Sequence, residues 1–493
     1  MKDKNKFLYN ATARIDETLI DELVSDGSKE KEAGKTSDAD GKKSGVKIKT
    51  TVAAVIVVTL TAVALIIPLK NMIVPVVPVT VDTEGSAATE PFNGQAGDYS
   101  GAQFISLADT SVTARDVYKS TMDYFYARRS CREDAVKLAG FFDKLTQQLI
   151  DGKSNAVVSP VNIYLALSLL AETTGGTSRQ QILDVIGVSS IEELREHSKL
   201  IWLCNSRNDI FGRSLLGNSI WLADGLSVKE TCVDILKGDH YASSFAGDFA
   251  DPEYKKALKQ WLSDQTCGLI DGYVSKLEIP DDTLVALAST LYYKTKWYWQ
   301  YDQTEEGVFR GENGDQNCVF NKKTVPQKSI YHRDGFDAFC EELSDSNEMW
   351  FFLPDDGMTV EYVLSCDLVS FVNGNNNGME YDVTVRMPDF DVGFNRFIQE
   401  DLKTLGITDC ADAGKADFSS LTDASLYLNK VMHAARFKAD KDGVEGAAFT
   451  VQYMSGGGPV DQKDFDFTLD KPFVFMVVNW GVPIFVGTVT DLN

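Results

Sequence analysis

The chain has 493 residues, 44% of them hydrophobic and 11% aromatic, enough to build a large core. Its formal net charge of -24 argues against nucleic acid as a partner, and no dense basic stripe overrides that repulsion. Eight scattered cysteines form no CxxC pair, which speaks against a zinc ribbon or a thioredoxin site and for free core thiols over a disulfide framework.

In chain order, residues 1–49 read as a cytoplasmic tail. Within it Ile15, Leu19, Ile20 and Leu23 recur at helical spacing, so the tail either docks a cytoplasmic partner through a short amphipathic helix or ends in a marginal one. Residues 27–46 are linker-like. Residues 50–69, TTVAAVIVVTLTAVALIIPL, carry no charge, and ~20 apolar residues cross a bilayer as a helix. The run starts too far from residue 1 for a cleaved leader, so it is expected to be a transmembrane signal anchor. Lys42, Lys43, Lys47 and Lys49 flank one side and Lys70 the other, which places residues 1–49 inside and the remainder outside. Residues 1–70 hold 12 Lys+Arg and 10 Asp+Glu; the total of -24 less this +2 leaves -26 on the exported part. Residues 70–133 open with Pro, Gly, Ala and Thr and read as an extracellular spacer.

From about Ala135 the texture becomes that of a folded domain over 134–493. AVKLAGFFDKLTQQLI predicts an amphipathic helix, NAVVSP a short strand ended by Pro160, and VNIYLALSLLAETTGG a buried helix. DTLVALASTLYYKTKW predicts a central strand, YDVTVRMPDF an alternating one, and KPFVFMVVN with VPIFVGTVT a closing hairpin. Long helices come first and strands dominate the end, which is an α+β domain.

Catalytic signatures are missing: there is no HExxH, GxSxG, Walker loop or GxGxxG. Of four histidines, His197, His240 and His332 are expected to be exposed and His433 to be a hydrogen-bonded core group. DKDG at 440–443 fails as a calcium loop, since Lys438 and Phe449 would stand at the first and twelfth ligand positions. No metal, cofactor or enzymatic activity is expected, and the domain is expected to act as a monomer.

Several segments, in order, resemble the serpin family. Asn155, Ser159 and Pro160 in NAVVSPVNIYLALSLL are similar to that family's shutter beneath its main sheet, and His433 falls on the shutter histidine. GGTSRQQILDVIG, NSIWL, KQWLSDQTCGLI, LYYKTKW with Trp297 at its upper end, RMPDF, LKTLGITD, ADFSSLT, DKPFVFMVVN and PIFVGTVTDLN follow in family order. The resemblance implies a serpin fold of about nine helices around three β-sheets, with a large central sheet A and an exposed reactive-centre loop. Departures from the family pattern are Ser289 where Asn is usual, Thr295 where Gly is frequent, and Gly446 and Phe449 in place of alanines.

KDGVEGAAFTV then resembles the proximal hinge of that loop, comprising Gly443, Val444, Glu445, Gly446, Ala447, Ala448, Phe449 and Thr450. Alternate residues Val444, Gly446, Ala448, Thr450, Gln452 and Met454 are uncharged, as a segment that becomes a central strand requires. Proline first appears at Pro459, past the part that must donate ladder bonds. The scissile bond falls within 454–461, with Gly457, Gly458, Met454 and Ser455 as candidates. The resemblance implies a suicide substrate that traps a serine protease as an acyl-enzyme. Gly457 favours elastase-like or subtilisin-like targets and Met454 a protease with a larger apolar pocket; cysteine proteases are further candidates. The anchor layout suggests a bacterial, membrane-displayed inhibitor. The alternatives are a non-inhibitory serpin that binds or assembles, and a transmembrane sensor of external proteolysis working through Ile15, Leu19 and Leu23.

Overall fold

The computed structural model describes residues 99, 101–374, 377–444 and 463–492. The expected tail (1–49), the expected anchor (50–69), the hinge residues Glu445 to Thr450 and the scissile candidates Met454, Ser455, Gly457 and Gly458 lie outside the described residues. Among the described residues no helix is long and apolar enough to cross a membrane.

The strands run β1 Gln103–Ser106, β2 Ala156–Val158, β3 Arg207–Asn208, β4 Gly212–Ala223, β5 Ala242–Gly247, β6 Val285–Lys296, β7 Gln303–Gly311, β8 Gly314–Arg333 and β9 Phe336–Glu342. They continue as β10 Glu348–Pro354, β11 Met379–Pro388, β12 Phe390–Phe397, β13 Met432–Asp440, β14 Gly443–Val444, β15 Asp464–Thr468, β16 Phe473–Asn479 and β17 Val482–Val489. The helices are α1 Ala114–Val117, α2 Thr121–Leu149, α3 Pro160–Thr173, α4 Gly176–Ile186, α5 Ile191–Asn205, α6 Glu230–His240, α7 Pro252–Gln265, α8 Asp271–Val274, α9 Val360–Leu364, α10 Leu368–Asn373 and α11 Gln399–Leu405.

Local chemistry sets the helix starts. The Ser120 hydroxyl accepts from the Asp123 N–H at α2, and Ser190 does the same for Glu193 at α5. At α3 and α7 a capping Ser159 or Asp251 is followed by proline at the first turn, where the missing N–H costs nothing. Helix α3 is buried around nearly its whole circumference, as its apolar sequence requires.

The first sheet has the order β1-β5-β4-β6-β14-β13-β12, with β3 on β4. The second runs β15-β11-β8-β9-β10-β16-β17-β2, with β7 on β8. Three sheets are expected, but among the described residues hydrogen bonding makes two. The reason is β8: its 20 residues pair with β7 and β11 and then reach β9, joining what would be separate sheets. The ladder with β11 slips between Tyr381 and Val383, beside Gln327 at φ +56°, a bulge that turns the long strand from one set of partners to the next.

The expected spacer ends earlier than residue 133. Residues 103–106 form the edge strand β1 on β5, and α2 begins at Thr121 with Ala127 and Cys131 buried. The helical pattern read from Ala135 is the second half of that 29-residue helix. The histidine expectation also needs correction, since His197 and His240 are buried. His197 Nε2 lies 3.2 Å from Asp134 Oδ1, and His240 Nε2 lies 3.2 Å from Glu172 Oε1. Carboxylates distant in sequence supply their partners. Only His332 of the three is partly exposed.

Candidate functional site

The site is the middle of the first sheet. Strand β6 is central, paired along its length with β4 from Val285 to Thr295. Strand β13 is paired on its other side with β12. Between them stands a single short rung, β14: Gly443 lies opposite Lys296 and Asp440, and Val444 opposite Thr295 and Ala439. Among the described residues β6 and β13 are joined in this sheet only through β14.

The rung is held tightly. Asp440 Oδ1 accepts from the Asp442 N–H at 2.8 Å and the Gly443 N–H at 3.2 Å, which closes the turn leading into it. Gly443 has φ +152°, and a Cβ there would stand 2.4 Å from the Thr295 carbonyl oxygen, so only glycine fits. Val444 is buried. Trp297, fully buried, donates from Nε1 to the Asp440 carbonyl at 2.7 Å and fixes the last residue of β13. Beneath the indole lies a buried ion pair, Lys323 Nζ to Glu341 Oε2 at 2.8 Å, with the ammonium 4.0 Å from the Tyr301 ring centroid. Burial pulls the Lys323 ammonium below its ordinary range, and Glu341 opposes that pull. Thr295 uses its hydroxyl to donate to the Phe211 carbonyl at 3.1 Å.

Below the rung a cavity of about 70 Å³ lies between Ser289–Leu291 of β6 and the 432–436 stretch of β13. Its roof is α7 and α8 with the turn joining them, through Leu262, Thr266 and Tyr273. Ser159, Asn162 and Phe485 also line it. The roof is seated on both sides of the gap. Tyr254 Oη donates to the Leu222 carbonyl of β4 at 3.0 Å. Across the gap the Tyr273 hydroxyl occupies the place a Cβ on Gly393 of β12 would take, 2.2 Å from it.

The lower end of the gap is a polar node. The Ser159 N–H donates to His433 Nε2 at 3.1 Å, and Ser159 Oγ donates to the Ile484 carbonyl at 2.7 Å. Burial, with Arg396 adding repulsion, pushes the His433 imidazole down to about 4, so it is neutral near pH 7 and accepts at Nε2. Asn162 completes the node: its Nδ2 donates to the Ser289 carbonyl at 3.1 Å, and Ser289 Oγ donates back to Asn162 Oδ1 at 2.5 Å.

The structure thus brings Ser159, Pro160 and His433 together beneath the gap, and Trp297 with Gly443 and Val444 above it. Asn155 stands apart. Its side-chain oxygen accepts from the Thr490 and Asp491 N–H groups, and its Nδ2 donates to the Asp491 carbonyl at 2.8 Å, pinning the chain after β17. The residue at the node is instead Asn162, two positions beyond Pro160. Its partner Ser289 is a departure from the family pattern, but no sequence signal ties the two.

The family model described as Serpin (serine protease inhibitor) matches residues 137–492. Alpha-1-antitrypsin 1-4 of Mus musculus is 27% identical over 398 residues, covering 77% of this chain and 94% of that protein. Among solved structures, the native state of the thermophilic serpin tengpin aligns with a TM-score of 0.64 at 24% identity, covering 73% of this chain and 94% of that one. Thyroxine-binding globulin in complex with thyroxine aligns with a TM-score of 0.61 at 19% identity, covering 73% and 99%. These last two likenesses speak for the fold alone. Serpins are in general protease inhibitors rather than enzymes. With the family model matching most of its length, the chain belongs to the serpin family.

Proposed function

We propose that this serpin is a suicide inhibitor of serine proteases that works by inserting its cleaved reactive loop between β6 and β13. The observation that carries the reading is the rung at Gly443–Val444, set into both strands above an unfilled gap. Strand insertion by a reactive loop is a known behaviour of the family and is taken from it. What this chain adds is an entry point already in register.

A loop continuing downward from Val444 extends an existing ladder. The residues after Glu445 carry no charge until Asp461, so Gly446, Ala448 and Thr450 can enter without burying an unpaired charge, which would cost several kcal/mol. The protease serine attacks the scissile carbonyl, the new amine leaves, and an ester joins protease to loop. Insertion then pulls the ester away from the oxyanion hole, and attack by water stalls. Gly457 and Gly458 favour elastase-like or subtilisin-like targets, with Met454 and Ser455 as alternative sites and cysteine proteases as further targets. Display at a bacterial cell surface by an anchor at 50–69 belongs to the same proposal.

The test mixes the protein with elastase-, subtilisin-, chymotrypsin- and trypsin-like proteases. The expected result is an adduct that survives denaturation, with a released peptide starting within 455–462. Thr450→Arg, which places a charge on the inserting face, is expected to abolish the adduct and leave clean cleavage. Clean cleavage of the unaltered chain by every protease would reject the inhibitor.

A second reading is a serpin that binds a ligand or partner without trapping proteases. Gly446 and the bulky Phe449, both in the hinge, favour it. Loop cleavage without an adduct, and without the stability gain that insertion brings, would support it. If cleavage instead altered a partner bound at Ile15, Leu19 and Leu23, the chain would be a sensor.

A further inference from the structure

Tyr99 and residues 101–107 precede the family match, yet the main sheet and its roof helix both hold them. Strand β1 pairs antiparallel with β5, setting Gln103 opposite Ala246, Phe104 opposite Phe245 and Ser106 opposite Ser244. The Ala108 N–H donates to Ser243 Oγ at 3.2 Å. The same stretch runs along α7. Tyr99 Oη donates to Asp264 Oδ2 at 3.2 Å, in the last turn of that helix. Gly101, at φ +94°, is packed so closely on the first turn that a Cβ would lie 2.8 Å from the Glu253 carbonyl carbon. The rings of Tyr99 and Phe104 complete an aromatic cluster: both meet Phe245 of β5, at 6.0 and 5.4 Å, and Phe245 stacks on Trp221 of β4 at 4.1 Å. Trp221 in turn meets Tyr254 of α7 at 5.6 Å.

Helix α7 and its continuation through α8 roof the gap that a new strand must fill. A strand passing beneath that roof requires α7 to lift from β4 and β5, then reseat. We infer that Tyr99 and residues 101–107 form a strap that holds α7 down on the sheet edge and sets the rate of strand insertion. The inference rests on the insertion reading and adds its regulation. Lifting α7 breaks the Tyr99–Asp264 bond, parts Gly101 from Glu253, and opens the Tyr99–Phe245 contact. These contacts are lost in the lifted state and regained after it, so they act on the barrier more than on the end point. Pulling on or cutting the chain just ahead of Tyr99 would act on the same barrier.

The experiment uses the full chain and a synthetic peptide of residues 446–458, annealed into the uncleaved protein. Insertion is followed by the rise in thermal unfolding temperature. Tyr99→Phe with Phe104→Ala is expected to anneal the peptide about tenfold faster and to reach the same final stability gain, since a lost hydrogen bond and aromatic contact together amount to roughly that factor. A second protein guards against misfolding of the first. Asp264→Ala removes the acceptor of the Tyr99 hydroxyl from the helix side and leaves the strap itself unaltered; it is expected to anneal about fivefold faster and to reach the same final stability gain. Equal annealing rates in wild type and both variants would overturn the strap while leaving insertion intact. No stability gain with any of the proteins would overturn the insertion reading and the strap with it.

Discussion

The Ser159 backbone N–H donates to Nε2 of His433 across 274 residues of sequence, at 3.1 Å and out of contact with water. This bond ties the cap of α3 to the foot of β13, just where the gap beside β6 closes. It requires a neutral imidazole, which gives the fold a defined response to acid.

His433 in the folded protein is pushed down from 6.5 to about 4. The unfolded chain therefore takes up this proton first as pH falls. The stability His433 contributes is present above about pH 6.5 and is lost as pH drops toward 4, at roughly 1.4 kcal/mol per unit. Urea unfolding at pH 7 and pH 5 is expected to differ by about 2 kcal/mol from this group. His433→Gln removes that share of the difference, leaving the contribution of other groups unchanged.

Gly443→Ala puts a methyl group against the Thr295 carbonyl at a backbone angle that L-residues rarely adopt. The rung should tear from β6 at a cost of about 1–3 kcal/mol. Equilibrium unfolding is expected to register that loss. Titration against a target protease should show more inhibitor consumed per protease trapped, because insertion starts from an unseated hinge.

Gly393→Ala removes the seat of the Tyr273 hydroxyl. Overpacking of this kind costs about 1–3 kcal/mol. Tyr273→Ala in the same chain should recover much of the loss, because the smaller side chain no longer meets the added methyl. A double-mutant cycle by urea unfolding would show coupling between the two positions, and additive effects would count against the contact.

Lys323→Met leaves Glu341 buried without its cation, with the Tyr301 hydroxyl, 3.2 Å from Oε1, still donating to it. Breaking a buried pair in this way costs about 3–5 kcal/mol. Replacing both partners, Lys323→Met with Glu341→Leu, is expected to restore most of the stability. Thermal unfolding of the two variants separates a structural pair from one needed for insertion, since the double variant can also be tested for protease trapping.

The elements were legible in the sequence where the reason for them is local. The apolar run of β6 marks a central strand, the all-apolar α3 a buried helix, and the two runs after Pro472 the hairpin of β16 and β17. The unbroken absence of charge from Gly446 to Val460 was legible too, and it meets the requirement that a segment entering a sheet would impose on each alternate residue. Partners across the fold were not legible. Nothing near His240 in sequence announces Glu172, and nothing near Ser289 announces Asn162 in place of Asn155. Residues 103–106 lack the length of a typical strand, yet they pair with β5 because that edge offers open backbone groups and an aromatic ring to cover. Composition and spacing by themselves determined an α+β chain with an uncharged stretch from Gly446 to Val460, and the order of its motifs carried the resemblance to serpins. Only the tertiary structure decided that Gly443 and Val444 stand between β6 and β13, what lines the cavity below them and that β1 pairs with β5, because hydrogen bonds and packing between distant segments carry no period along the chain.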